Sequence, residues 1–282
     1  MIKIDLITGF LGAGKTTFLK EYIPYLLSNN ENIALLEFDF GAVNVDAMIL
    51  QDFNEKINIE TVTGSDDLDC FKRRLKTKLI SMALRKYDRV IIEPSGIFDP
   101  NILIDIIDEE PLYTWYKINS SLCLVEPNNE EIILNQIATS KYILISKIDK
   151  YSKEDINKTI TKLNEYKAKY HLDFKIIMKP FDYKILNNSG FNDTYINRLD
   201  SEAFKSVYLL NKNFTFESIN KLADKLFMNI NISRVKGFIF EEKWYLINYT
   251  RKERNKEEVL DGQDVMIIIG KGINESNITD LL

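Results

Sequence analysis

The sequence has little of the chemistry that thiol and soft-metal proteins depend on. Two cysteines, Cys70 and Cys123, and a single histidine, His171, stand among 282 residues. So few cysteines cannot build a disulfide framework, which fits a reducing cytoplasm. No run of about 18 apolar residues occurs, so no transmembrane helix and no membrane partner are expected. The N-terminus enters an apolar strand pattern directly, without the basic region, apolar run and small-residue cleavage site of a signal peptide. Excess positive charge is lacking too. The net charge is −5, with acids and bases interspersed, and nucleic-acid binding needs a basic face. Lys72-Arg73-Arg74 reads as a solvated helix face. Repeats and low-complexity tracts are absent. With 45% hydrophobic and 28% charged residues, a soluble globular chain of one large or two smaller domains is expected.

What is present begins at Gly9. The stretch Gly9-Phe10-Leu11-Gly12-Ala13-Gly14-Lys15-Thr16-Thr17 contains the G-x-x-x-x-G-K-T phosphate-binding pattern. The spacing has a physical basis. Glycines let successive N–H groups turn inward around a phosphate. Lys15 is placed to reach the β- and γ-phosphates and the Thr16 hydroxyl to bind Mg²⁺. The helix that follows turns its positive end to the anion. The context agrees, since Ile2 to Ile7 reads as a buried strand and Thr17 to Leu27 as a helix with a weak point at Pro24.

Further strands are read at 33–38, 57–63, 89–93, 121–125, 141–145 and 174–178. That at 57–63 alternates like a half-exposed edge. Helices are read at 67–86, from Pro100 to about Ile107, at 128–138, and from Ser152, which Asp155 can answer in a capping box. Strands alternating with helices imply an α/β fold: a P-loop NTPase domain with a mostly parallel sheet and helices on both faces, over 1–180. Residues 181–203 read as a linker or irregular insertion. A smaller α+β domain is expected over 204–282. It would hold strands at 206–210, 232–240, 243–249 and 265–269, a hairpin turn at Glu241-Glu242, and helices at 216–228 and 274–282.

Three more features bear on chemistry. Ser146-Lys147-Ile148-Asp149 follows a strand where P-loop GTPases carry N/T-K-x-D. There Asp149 would accept the N1–H and N2–H₂ of guanine, and the Lys147 stem would lie along the base. An ordinary charged turn is the competing reading, and Ser146 in place of Asn or Thr leaves an ATP-dependent small-molecule kinase open. Glu93 ends an apolar strand before Pro94-Ser95-Gly96. It can serve the Mg²⁺ shell or orient water, with the Gly96 N–H meeting a γ-phosphate; it could also cap a helix. Asp39, ending the second strand, could hold Mg²⁺ through water or start a turn. Lys15, Asp39 and Glu93 form the candidate catalytic set. Cys123 reads as core and His171 as a residue at a helix end.

Gly-Phe-Leu-Gly-Ala-Gly-Lys-Thr-Thr, Ile-Ile-Glu-Pro-Ser-Gly-x-x-Asp-Pro and Ser-Lys-Ile-Asp together resemble the CobW family, within the CobW/HypB/UreG class of P-loop GTPases. Arg234-Val235-Lys236-Gly237 and Ile268-Ile269-Gly270-Lys271 look like marks of its C-terminal domain, so the resemblance covers nearly the whole chain. It implies Mg²⁺-dependent hydrolysis of GTP to GDP, a nucleotide-driven switch, and metal-cofactor handling for a client metalloprotein or corrinoid protein. It also implies a homodimer.

Two departures stand out. The family's C-x-C-C metal site is replaced by Ser65-Asp66-Asp67-Leu68 after Gly64, with Cys70 displaced. Ala42 replaces the second acid in Asp39-Phe40-Gly41-Ala42. A tight zinc-type site wants about four Cys or His ligands, which cannot be gathered around residue 64. Asp66, Asp67, Asp69 and Cys70 could form a harder site for Mg²⁺ or Mn²⁺, or simply a solvated helix start. The missing trio also motivates a reading as a nucleotide-gated protein-binding module with negligible hydrolysis.

Overall fold

Runs of Ile, Val and Leu buried on both faces are what central parallel strands require, and they set the first half of the chain. In the computed structural model, residues 1–39, 53, 56–63, 68–128, 134–194, 204–228, 231–251, 253–271, 273, 276 and 278 are described. They fall into two compact units, one ending with residue 194 and one beginning at 204 among the described residues.

The first unit runs β1 (Ile2–Gly9), α1 (Lys15–Ser28), β2 (Ile33–Asp39), β3 (Asn58–Thr63), α2 (Leu68–Ala83), β4 (Arg89–Pro94), α3 (Pro100–Ile107), α4 (Leu112–Trp115), β5 (Tyr116–Val125), α5 (Leu134–Thr139), β6 (Tyr142–Ile145), α6 (Lys153–Lys169) and β7 (Lys175–Met178). Its sheet has the order β3-β2-β4-β1-β5-β6-β7, with every pair parallel. The period-2 alternation of strand side chains assigns the faces. On one face, α1 packs Phe18, Leu19 and Ile23 with Leu35, Ile91, Leu122 and Leu124. On the other, α2 and α3 pack with Leu36, Val90 and Ile92, and α5 and α6 with Cys123 and Ile143. The helices thus cover both faces, as the alternating pattern predicts. The strand order reverses at β1, and open α/β sheets bind ligands beyond the strand C-termini at such a reversal.

Two features were hidden by polar residues. β5 starts at Tyr116, five residues before the apolar run, because its polar residues serve a buried acid. Asp5, in the middle of β1, accepts from Asn119 Nδ2 and Ser120 Oγ at 2.7 Å each and from Tyr22 Oη at 2.7 Å. Arg89 completes the set by donating to Asp5, and to Glu31 through Nε at 2.6 Å. Asp5 and Arg89 are both 0% exposed, so each charge depends on the other. Burial, then the Asp5 charge, raises the Tyr22 pKa and keeps its hydroxyl neutral.

Residues 181–194, at the head of the expected linker, pack into this unit. Phe181, Tyr183 and Ile185 join the core beneath α1. Asn188 N donates to Asn119 Oδ1 at 3.0 Å, and Asn192 Nδ2 to the Ser140 and Asp173 carbonyls at 2.9 and 2.6 Å. The asparagines that make this stretch look like a loop satisfy buried polar groups instead. Residues 195–203 lie outside the described residues. α1 runs on through Pro24, which is exposed, and α6 opens on the expected Ser152–Asp155 capping box.

The second unit comprises β8 (Phe204–Leu210), α7 (Phe216–Met228), β9 (Ile232–Glu241), β10 (Lys243–Tyr249), β11 (Arg254–Val259) and β12 (Val265–Lys271), with strand order β11-β10-β9-β12-β8. All pairs are antiparallel. Ile219, Leu222 and Leu226 of α7 pack on Val235, Ile239, Met266 and Ile268. The hairpin turns at Glu242, φ 63°. β11 is a strand the apolar alternation does not announce. It is an edge strand, Arg-Asn-Lys-Glu-Glu-Val, whose charges suit an unpaired rim. The helix expected at 274–282 falls outside the described residues, apart from 276 and 278.

Candidate functional site

The candidate residues gather at the C-terminal ends of β1, β2, β4 and β6. β1 closes at Gly9, whose φ is 140° and where a Cβ would lie 2.5 Å from the Leu124 carbonyl oxygen of β5. Only glycine meets both conditions. The loop then turns through Gly12 and Gly14, φ 80° and 92°, and Ala13 N bonds the Phe10 carbonyl at 3.0 Å. Gly14 is the residue preceding α1 and offers no side chain to its first turn. No side chain caps that end of α1, the end at which an anion is favoured. Lys15 is 8% exposed and its Nζ donates to the Gly9 carbonyl at 3.0 Å, folding the ammonium back over its own loop. Thr16 and Thr17 follow in the first turn of α1.

The loop after β4 is pinned from three sides. Ser95 N donates to the Phe38 carbonyl at the end of β2, at 2.8 Å. Gly96 lies against the Leu11 backbone. Gln136 of α5, itself buried, donates Nε2 to the Gly96 and Phe98 carbonyls at 3.1 and 3.0 Å. Asp99 caps α3 through Asn101 N at 3.1 Å and takes Asn135 Nδ2 at 3.0 Å. The Phe98 ring meets Phe38 edge-on, centroids 4.7 Å apart. Glu93 precedes this loop and is 5% exposed; Glu37, its register partner on β2, is 2% exposed. Asp39 ends β2. The expected loop at 40–46 and residues 64–67 lie outside the described residues, as does the Asp39 side chain.

The turn after β6 stands beside the loop. Ser146 N bonds the Val125 carbonyl at 2.9 Å, and the Ser146 Cβ is 3.9 Å from where a Cβ on Gly14 would be. The Ser146 Oγ is buried and has no hydrogen-bond partner among the described residues. Buried hydroxyls are seldom left so. Lys147, φ 51°, starts the 3₁₀ turn Ile148–Lys150, which carries the exposed Asp149.

The structure thus sets Gly96 against the Gly9–Thr17 loop, Ser146 close to Gly14, and Glu93 on the strand next to β1. Two supporting residues escape sequence reading. Glu37 has a faint signal, an acid inside an apolar run; Gln136 has none, because its partners are distant in sequence. Cys123 is core, and burial pushes its thiol up to about 12. His171 is exposed just after α6, at φ 54°. A hollow of about 730 Å³ opens at the opposite strand ends, beside Ile2, Leu84 and Trp115, and touches none of these residues.

The family model described as CobW/HypB/UreG, nucleotide-binding domain, matches residues 3–172. The chain is 28% identical over 165 residues to the zinc chaperone YeiR of Escherichia coli K12, covering 55% of this chain and 49% of that protein. It is 29% identical over 162 residues to the zinc chaperone YjiA of the same organism, covering 52% and 50%. The chain therefore spans about half the length of the curated relatives it matches. The crystal structure of the Zn(II)-bound YjiA GTPase from E. coli aligns over 99% of this chain and 97% of that one, at 19% identity and a TM-score of 0.42.

Proposed function

The chain belongs to the CobW/HypB/UreG family, and from that premise we propose that it binds GTP with Mg²⁺ and hydrolyses it to GDP and phosphate. The convergence of three motifs carries the reading. The Gly9–Thr17 loop, the Gly96 loop and the Ser146–Asp149 turn are far apart in sequence, yet Gly96 lies against Leu11 and Ser146 lies close to Gly14.

The proposed roles rest on where each residue stands in its motif. The amides of Gly12, Ala13, Gly14, Thr16 and Thr17 cradle the phosphates, and Lys15 exchanges the Gly9 carbonyl for phosphate oxygens. Phosphoryl transfer asks little covalent chemistry of the protein, so positioning and charge stabilisation do the work. Gly96 offers its N–H to the γ-phosphate. Ser146 turns its hydroxyl to the nucleotide edge, Lys147 lays its stem along the base, and Asp149 accepts the guanine N1–H and N2–H₂.

The residues fit Mg²⁺. Thr16, Asp39 and Glu93 are all oxygen donors, the kind this hard cation takes, and the buried Glu37 and Glu93 carboxylates stand side by side. Bound there, Mg²⁺ would neutralise charge on the phosphates.

A zinc cargo site of the thiolate kind is not part of this reading. With Cys123 in the core, Cys70 and His171 are the only soft ligands left outside it, and a tight zinc site takes about four. Calorimetric titration tests the nucleotide reading. GDP should bind at least tenfold more tightly than ADP, and Lys15→Ala should abolish binding of both (roughly the discrimination a paired polar edge supplies). Equal binding of ADP would overturn it.

A further inference from the structure

Glu126 follows β5 directly and lies under the turn that would read the base. One of its oxygens, Oε1, accepts from Lys147 Nζ at 3.0 Å and from Tyr151 Oη at 2.7 Å. The pair is sheltered, with side chains 15% exposed at Glu126 and 23% at Lys147. Lys147 also holds a left-handed backbone, φ 51°, a conformation uncommon for a residue other than glycine. Asp149 sits two residues on in the same turn. It is exposed, and among the described residues no side chain pairs with it.

The turn carries two lysines, Lys147 and Lys150, and the ammonium of Lys147, two residues before Asp149, goes to Glu126. That choice has a consequence for recognition. A lysine paired with Asp149 would compete with the two N–H donors of guanine for the same carboxylate. A lysine held by Glu126 presents its hydrocarbon stem and leaves Asp149 open as an acceptor.

We propose that Glu126 is a positioning residue for base selection: it holds the Lys147 ammonium away from Asp149 and so keeps Asp149 unpaired for the guanine edge. This rests on the GTP reading given above and deepens it. Glu126 does not touch the nucleotide; it acts through Lys147 on Asp149.

The test is calorimetric, with three probes: GDP, ADP and tripolyphosphate. Glu126→Gln keeps the shape and removes the charge. It should weaken GDP about tenfold, or ~1.4 kcal/mol, while ADP and tripolyphosphate bind as to the wild type. In an Asp149→Ala background the same change should have no further effect on GDP. GDP affinity within twofold of wild type in Glu126→Gln would overturn the proposal. So would an equal loss for all three probes, or an effect that persists in full without Asp149. A wild-type protein with no preference for GDP over ADP sinks the GTP reading and this inference together. A selective wild type with an unaffected variant sinks this inference alone.

Discussion

Gly96 and Leu11 meet backbone to backbone: a Cβ on Gly96 would fall 2.5 Å from the Leu11 nitrogen and 2.9 Å from its Cα. The loop after β4 thus rests on the phosphate loop, and a change in one must be felt by the other. Neither neighbour is a flexible side-chain end, so Gly96→Ala has to displace main chain. We expect the variant to fold but to lose GTP turnover by roughly 10–100-fold, since ångström-scale misplacement costs on that order. Wild-type turnover in a folded Gly96→Ala protein would contradict the coupling.

The Asp5–Arg89 pair sits at the other end of the account, in stability. Arg89 gathers Asp5 of β1, Glu31 before β2 and Asn187 beyond β7, and is fully buried. Arg89→Ala leaves the Asp5 charge without its counter-ion. That should cost about 3–5 kcal/mol, or a fall in Tm on the order of 10 °C. Adding Asp5→Asn should recover part of the loss. A melting curve within 2 °C or so of wild type for Arg89→Ala would show that the network is dispensable.

Much of this architecture was legible in the sequence, and the misses share a cause. β1, β4 and β6 are apolar runs whose burial on both faces makes them visible, and the motifs at their ends carry fixed spacing. The start of β5 and the segment 181–194 are hidden because Asn119, Ser120, Asn188 and Asn192 look solvated until their partners are known. β11 gives no signal because an edge strand needs no apolar alternation. At the site, the phosphate loop was legible from local chemistry. Gln136 and Glu126 bond residues 21 to 40 positions away, and no local pattern encodes such a pairing.

Acid should reveal a second electrostatic contribution. Glu60 accepts from Lys78 at 2.8 Å, Asn58 at 2.9 Å and Arg85 at 2.7 Å. The Lys78 hydrogen bond, against an opposing effect of burial, holds its carboxyl below the ordinary glutamate value. A depressed folded-state pKa contributes stability that is present above about pH 4.3 and lost as pH falls through the folded-state value. Glu60→Gln should therefore flatten the stability curve between about pH 5 and 3, with a difference of at most ~1 kcal/mol at pH 7 because Lys78 and Arg85 are partly solvated. Parallel wild-type and variant curves over that range would refute the assignment.

The two cysteines should behave differently. A thiol pushed up to about 12 holds almost no thiolate at pH 8, and Cys123 is buried. An aromatic disulfide reagent should titrate Cys70 alone in the native protein and both thiols after unfolding. The same asymmetry leaves too few soft ligands for tight zinc, so protein purified with zinc and then desalted should carry less than one equivalent. Stoichiometric zinc that survives desalting would overturn the claim that the thiolate site is lost.

Steady-state phosphate release tests directly for guanine-specific triphosphate hydrolysis. With Mg²⁺ present, GTP should turn over at least tenfold above ATP in kcat/KM, and Lys15→Ala should lose that turnover; the margin is roughly that set by a hydrogen-bonded base edge. Equal use of ATP, or undiminished turnover in Lys15→Ala, would contradict it.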